Sequence, residues 1–240
     1  MRRLVIIPTY NERENIEAMV AKVFSLAGNY SLLVVDDGSP DGTAAIVRRL
    51  MESHPERLFL VEREGKLGLG TAYIAGFRWA LERGYEEIYE MDCDFSHDPD
   101  DLLRLSAELS EGADVAIGSR YVSGVNVVNW SMRRLLLSFC ASRYVKCVTR
   151  MPVRDATAGF VGYRAEVLRA IDLDRVRMHG YGFQIEMKYT AWRLGFRIRE
   201  VSIIFRDRTA GTSKMSSSIL GEAFWGVLAL RFRRFRRVES

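Results

Sequence analysis

The stretch Ser31-Leu32-Leu33-Val34-Val35-Asp36-Asp37-Gly38-Ser39-Pro40-Asp41-Gly42-Thr43 decides the fold. Ser31–Val35 is an apolar run of strand length, too short for a buried helix. It ends in Asp, Gly, Ser and Pro, residues that favour a turn by side-chain hydrogen bonds, positive φ or a fixed φ. Asp41 can then cap a helix over 42–51. The unit is therefore strand, acidic loop, helix. The same unit recurs outward. Upstream, Arg3–Ile7 reads as a buried strand stopped by Pro8, followed by a helix over Glu12–Leu26 with Asn11 as its cap. Downstream come a strand at Arg57–Val61, a helix at Thr71–Glu82, a strand at Glu87–Met91, a helix at Pro99–Ser110 and a strand at Asp114–Ile117. Strands alternating with helices predict an α/β fold whose mostly parallel central sheet is flanked by helices on both faces. Ligands of such sheets bind beyond the carboxyl ends of the strands.

The second half is less regular. Val128–Val148 mixes aromatic and aliphatic residues with arginines and a lysine. Gly159–Tyr163 and Arg197–Phe205 read as strands, and Arg164–Ile171, Gln184–Leu194 and Ser216–Leu230 as helices. No internal repeat or low-complexity linker interrupts the chain. The expectation is one domain over 1–215 and an appended amphipathic, basic segment over 216–240.

The 240 residues hold 35 Lys+Arg against 31 Asp+Glu, a net charge of +4. Arg231–Ser240 contains five arginines and one glutamate, so residues 1–230 balance at 30 basic against 30 acidic. A neutral body argues against a broad nucleic-acid face, and the basic end points to a local anionic partner such as a membrane surface. No apolar run reaches the roughly 18 residues that span a bilayer. Leu4–Ile7, after Arg2 and Arg3, is too short for a signal peptide, so a cytoplasmic location is expected. Cys93, Cys140 and Cys147 show neither metal-ligand spacing nor a disulfide framework. His54, His97 and His179 form no ligand pattern either.

Acidic residues collect where strands end. The Glu87–Met91 strand runs into Asp92-Cys93-Asp94. Two carboxylates two positions apart at a strand end can hold one hard divalent cation and leave sites open for phosphate oxygens. Taken singly, Asp36, Asp37 and Asp41 also suit turns and caps. Gly65-Lys66-Leu67-Gly68-Leu69-Gly70 precedes a helix and could cradle a phosphate. It matches neither the dinucleotide fingerprint nor a Walker A loop.

Taken in order, Pro8-Thr9-Tyr10-Asn11-Glu12, Asp36 through Thr43, Lys66 through Tyr73 and Met91 through His97 resemble the family-2 glycosyltransferases of GT-A (nucleotide-diphospho-sugar transferase) fold. Within that family they resemble the dolichyl- or polyprenyl-phosphate mannose synthases. Gly118-Ser119-Arg120-Tyr121, the run from Trp130 to Ser138 and Gly211-Thr212-Ser213-Lys214 fit as well, so the likeness covers about residues 3–220. It implies inverting transfer of mannose from GDP-mannose to a polyprenyl monophosphate with Mg²⁺ or Mn²⁺. Pro8, Tyr10, Glu12, Val35 and Asp37 would line the nucleotide pocket. Asp92 and Asp94 would hold the metal, with Cys93 contributing backbone. Arg120, Arg208 and Lys214 would meet phosphate groups, and Arg134 and Ser138 the acceptor phosphate. Gln184 and the 155–160 stretch would border the sugar. Cys93 stands where relatives commonly have Ala, and Ser96 where some have Gln. The lipid acceptor implies a peripheral enzyme on the cytoplasmic face of a membrane, with amphipathic interface helices in the C-terminal half. A separate membrane-anchoring subunit, transfer from UDP-glucose or another sugar nucleotide, and a non-catalytic membrane-bound nucleotide-binding module stay open on spacing alone.

Overall fold

The computed structural model describes residues 1–207 and 217–238, with the backbone alone for 217–223. Its centre is a seven-stranded sheet in the order β3-β2-β1-β4-β7-β5-β8. The strands are β1 (Arg3–Thr9), β2 (Tyr30–Asp36), β3 (Leu58–Glu62), β4 (Glu87–Glu90), β5 (Val115–Ser119), β7 (Val161–Arg164) and β8 (Ile198–Ser202). A separate pair joins β6 (Val127–Val128) to β9 (Phe205–Arg206). Helices α1 (Ile16–Ser25), α2 (Thr43–Ser53), α3 (Leu69–Glu82), α4 (Asp101–Ser110), α5 (Met132–Thr149), α6 (Ala165–Ala170), α7 (Tyr181–Arg193) and α8 (Ser217–Phe232) surround it.

The continuous apolar runs have a simple cause: both faces of the sheet are covered. Leu4 and Ile6 point to the side of α3, where Ala72, Tyr73 and Phe77 pack. Val5 and Ile7 point to the side of α1, against Ile16, Met19 and Val20. All four strand residues are inaccessible. Each such burial contributes about 1.5–3 kcal/mol against an exposed reference.

All strands are parallel to their neighbours except β7, which runs against both β4 and β5. After β5 the chain detours through α5 and re-enters the sheet from the carboxyl edge. The segment that enters β7 therefore sits on the edge where the parallel strands end.

Three local expectations change. Pro8 does not stop β1, which continues to Thr9 with Pro8 opposite Val35. The β1–β4 register ends at Ile6 opposite Glu90, and Ile6 O accepts from Met91 N. By the two-residue alternation, the Pro8 nitrogen faces the β4 side beyond that last bond, where no donor is required. Asn11 is not a helix cap. It lies at φ 62, a conformation asparagine tolerates, and α1 begins later with Asn15 at its cap. The Arg197–Phe205 run divides into β8 and the separate β9.

α8 packs on α5 and α7, burying Val227 and Leu230 in the main core. Tyr144 of α5 stacks on Phe224 at 4.6 Å. Beyond α8 the chain lies along α7 as a strap. Arg233, Phe235 and Arg237 turn inward: Arg233 pairs with the buried Glu186, Phe235 packs edge-on against Tyr189 and Arg237 donates to Leu194 O at 2.8 Å. Phe232, Arg234 and Arg236 face outward and are exposed, Phe232 at 85%. The basic end is thus two-sided, and two of its arginines serve the body.

Candidate active site

The carboxyl edge of the sheet opens into a cavity of about 1010 Å³. Its contributors follow the strand order. Pro8–Glu12 after β1 and Asp37 after β2 form one end, and Asp92, Cys93 and Asp94 after β4 lie between. Thr157–Gly159 before β7, Arg120 after β5 and Phe205 on β9, with Trp130 and Arg134, form the other end. Of the residues implied by the resemblance, Pro8, Tyr10, Glu12, Asp37, Asp92, Cys93, Asp94, Arg120, Arg134 and Gln184 line this single cavity.

Of the other implied residues, two stand outside the cavity lining and two are not among the described residues. Val35, next to last on β2, is fully buried and packs in the core with Ala72, Tyr73 and Phe77 of α3, because alternate residues of a doubly covered sheet point into a helix layer. Ser138 lies on α5 outside the lining and accepts the Tyr121 hydroxyl at 2.8 Å. Arg208 and Lys214 lie outside the described residues.

At the first end, Asp36 and Asp37 divide their work. Asp36 is inaccessible and accepts Thr9 Oγ1, Ser39 N and Ser39 Oγ, which shapes the turn. Asp37 points to the cavity and is paired with Arg63 at 2.6 Å. Arg63 also donates to Thr71 Oγ1 at 2.9 Å and to Gly68 O, so one guanidinium ties β2 to the Gly65–Gly70 loop. Gly68 has φ 100, which favours glycine. A Cβ on Gly70 would come within 2.9 Å of the Phe183 ring, so glycine there lets α3 close on α7. Lys66 places its ammonium 4.6 Å from the Tyr10 ring centre, across the cavity mouth. Arg63 carries no motif, and only its position just after β3 could have signalled it.

In the middle, acidic groups lie close together, and Glu90 is buried. Burial pushes the Glu90 carboxyl up to about 8, aided by Asp92 and resisted by Gln184 and Lys188. Burial, then Asp92, Glu90 and Asp94, push the Tyr73 phenol far above its usual value. The donors are hard oxygens in a field that favours a cation, so Asp92 and Asp94 fit Mg²⁺ or Mn²⁺. Among the described residues no group of three or more His, Cys, Asp or Glu side chains that could hold a metal ion forms. Ser96 holds Asp94 Oδ1 through its hydroxyl at 2.6 Å and its amide at 3.0 Å. A serine here orients the aspartate, whereas a longer Gln could reach an ion itself.

At the far end, Arg120 arrives already paired. Its Nε and Nη2 donate to Asp155 at 2.7 and 2.6 Å, and its backbone amide donates to the same carboxylate at 2.9 Å. Burial alone would raise Asp155, but the Arg120 charge and hydrogen bonds more than reverse this and hold it below the usual carboxylate value. Arg134 stacks 4.2 Å from the Trp130 ring centre and donates to Asp207 at 2.7 Å. The sequence reading missed Trp130 and Phe205 as the aromatic walls around these guanidinia.

The family model for glycosyl transferase family 2 matches residues 4–172. The chain belongs to that family. A polyprenol monophosphomannose synthase of Mycolicibacterium smegmatis is 48% identical over 231 residues, 94% of this chain and 87% of the relative. An undecaprenyl-phosphate mannosyltransferase of Micrococcus luteus is 46% identical over 234 residues, 95% of this chain and 96% of the relative. Among solved structures, the glucosyl-3-phosphoglycerate synthase of Mycobacterium tuberculosis in complex with phosphoglyceric acid superposes with a TM-score of 0.71 at 21% identity, covering 95% of this chain and 79% of that one. A mannosyltransferase of Pyrobaculum calidifontis in complex with GDP-Man and Mn²⁺ gives a TM-score of 0.57 at 18% identity, covering 96% of this chain and 70% of that one. The expected α/β glycosyltransferase fold is borne out by these likenesses and by the sheet.

Proposed function

We propose that the protein transfers mannose from GDP-mannose to a polyprenyl monophosphate with inversion, using Mg²⁺ or Mn²⁺. The observation that carries this reading is the single cavity with an acidic middle and a cationic, aromatic far end. It is joined by the activity named for two relatives that match almost the whole chain. When bound at Asp92 and Asp94, the metal supplies positive charge against the leaving diphosphate. The attacking phosphate oxygen is already anionic and needs positioning more than deprotonation. Arg134, and the paired Arg120, suit that task. The end formed by Pro8–Glu12 and Asp37, to which we assign the nucleotide, and the basic end lie on opposite sides of β4 in the sheet order, which supports inversion. Attack from the side opposite the leaving group inverts the anomeric centre.

The acceptor is a lipid, and no helix among the described residues is long and apolar enough to cross a membrane. Peripheral contact with the cytoplasmic face is supported by exposed Met132, Leu136, Leu137 and Phe139 on α5 beside Phe224 and Trp225 on α8. The outward Arg234 and Arg236 of the strap add attraction to anionic headgroups. The decisive assay offers GDP-mannose, UDP-glucose and other sugar nucleotides with undecaprenyl phosphate and either metal, scored for lipid-linked sugar. Lipid-linked mannose is expected, and product from UDP-glucose alone would sink the donor assignment.

A further inference from the structure

Lys188 is the residue of α7 that the proposed chemistry leaves unused. It follows Gln184 by four positions, so both side chains leave one face of the helix. It is wholly inaccessible. Lysine is almost never buried in this way without a partner. Removing an ammonium from water costs several kcal/mol, so its hydrogen bonds deserve an account. They go to main chain: Nζ donates to Ala156 O at 3.0 Å and also to Ala158 O. Asp155, Glu90 and Glu200 favour its charge from further away, while burial and Arg120 oppose it.

The two carbonyls belong to the turn that precedes β7, whose next residues line the cavity. Three anchors hold that turn. Glu200 accepts the amides of Arg154 at 2.8 Å and Asp155 at 3.0 Å from the outside. Arg120 fixes the Asp155 carboxylate. Lys188 alone among these pulls the carbonyls inward. With the carbonyls turned to the core, Gly159 fits beside Gln184: a Cβ there would stand 4.0 Å from Gln184 Nε2 and 3.9 Å from His97 Cε1. In the strand order this turn comes directly after the Asp92–Asp94 loop, on the side away from the nucleotide end. A hexose attached to a diphosphate held at that loop would rest there.

We propose that Lys188 is a positioning residue for the sugar: by holding the Ala156 and Ala158 carbonyls it fixes the Thr157–Gly159 floor against which the nucleotide-linked hexose is seated. This inference rests on the GDP-mannose reading. The test uses the full chain and measures binding of GDP and of GDP-mannose, and then kcat and KM with undecaprenyl phosphate. Lys188→Met is expected to bind GDP within about twofold of wild type and to lose about tenfold in GDP-mannose affinity, with a comparable fall in kcat/KM. Glu200→Ala loosens the same turn from outside, and a roughly threefold loss confined to GDP-mannose is expected. A lost fold would weaken both ligands together, so the GDP-mannose to GDP ratio separates positioning from structure. Wild-type ratios in Lys188→Met overturn the inference. If that variant does not fold, a wild-type ratio in Glu200→Ala overturns it instead. Failure of the wild-type protein to bind GDP-mannose at all refutes the donor reading, and the same ratio is then read with the donor that does bind.

Discussion

Asp155→Asn removes one charge from a pair that water does not reach. Asp155 is 0% and Arg120 5% exposed, and three hydrogen bonds join them. The substitution leaves a buried guanidinium with one amide oxygen and the Thr157 hydroxyl, 2.8 Å from Nη2, as its acceptors. Breaking such a pair costs about 3–5 kcal/mol. The aromatic rings of Trp130, Tyr121 and Phe205, 5.3 to 5.7 Å from the guanidinium carbon, offset part of this, so the lower end applies. About 3 kcal/mol at roughly 2–4 °C per kcal/mol for a chain of this size is a fall in Tm of about 6–12 °C. Urea unfolding followed by circular dichroism should show a lower midpoint at unchanged slope. The acid limb gives a second readout. A carboxyl held below its ordinary 3.8 contributes stability that is fully present above that pH and is lost as the pH falls through the lower folded value. Wild-type unfolding as the pH falls below about 3.8 should therefore steepen relative to Asp155→Asn. The double variant Arg120→Met, Asp155→Leu should lose less than the sum of its single changes. A cost below about 1 kcal/mol for Asp155→Asn, or strict additivity in the cycle, would refute the reasoning.

Other expectations are more direct. Asp94→Asn should lower turnover by about 10²-fold or more while leaving the circular dichroism spectrum unchanged, and a chelator should stop the wild-type reaction until Mg²⁺ or Mn²⁺ is returned. Retained activity in either arm removes the metal role assigned to Asp92 and Asp94. Arg63→Met frees Asp37 and the Gly65–Gly70 loop at once, so KM for GDP-mannose should rise about tenfold with kcat nearly constant; a loss in kcat alone would place Arg63 elsewhere in the cycle. Arg234→Ala with Arg236→Ala should weaken binding to anionic vesicles by about 30-fold, at about 1 kcal/mol per charge, with Tm unchanged. Removing residues 231–240 should lower Tm as well, because the buried Glu186 then loses Arg233. Equal vesicle binding by the double variant would dismiss the outward arginines as docking groups.

Much of this was legible in residue order. The apolar runs of β1 and β2 are continuous because helices cover both faces, and that pattern is visible without coordinates. The acidic loops follow strand ends, so sheet topology alone predicts that they share an edge. What remained hidden depends on contacts distant in sequence. Arg63 reads as a lone charge until its three partners converge. Lys188 reads as a surface residue, since its acceptors are main-chain atoms of a turn 30 and 32 positions away. Val35 and Ser138 matched a motif, but whether a side chain faces cavity or core is set by strand parity and helix rotation. The reversed direction of β7 could not be read from a short apolar run, because pleat and polarity are the same in either direction.

The strap beyond α8 has a consequence of a different kind. From Phe232 at the end of α8, residues turned to the body and residues turned outward alternate: Arg233, Phe235 and the exposed Arg237, which reaches back to Leu194 O, against Phe232, Arg234 and Arg236. Arginine and phenylalanine occur on both faces, so composition is nearly indifferent to which face is which. Parity is not. A single-residue insertion near position 232 would exchange the faces, setting arginine where Phe235 packs and Phe232 where Arg233 meets Glu186, whereas a deletion would set arginine at the Phe235 place and Val238 at the Arg237 place. Point substitutions in this segment change one role at a time, whereas a one-residue change in length changes several at once. Among natural variants of this chain, the spacing of these six positions should therefore be held more strictly than their identities.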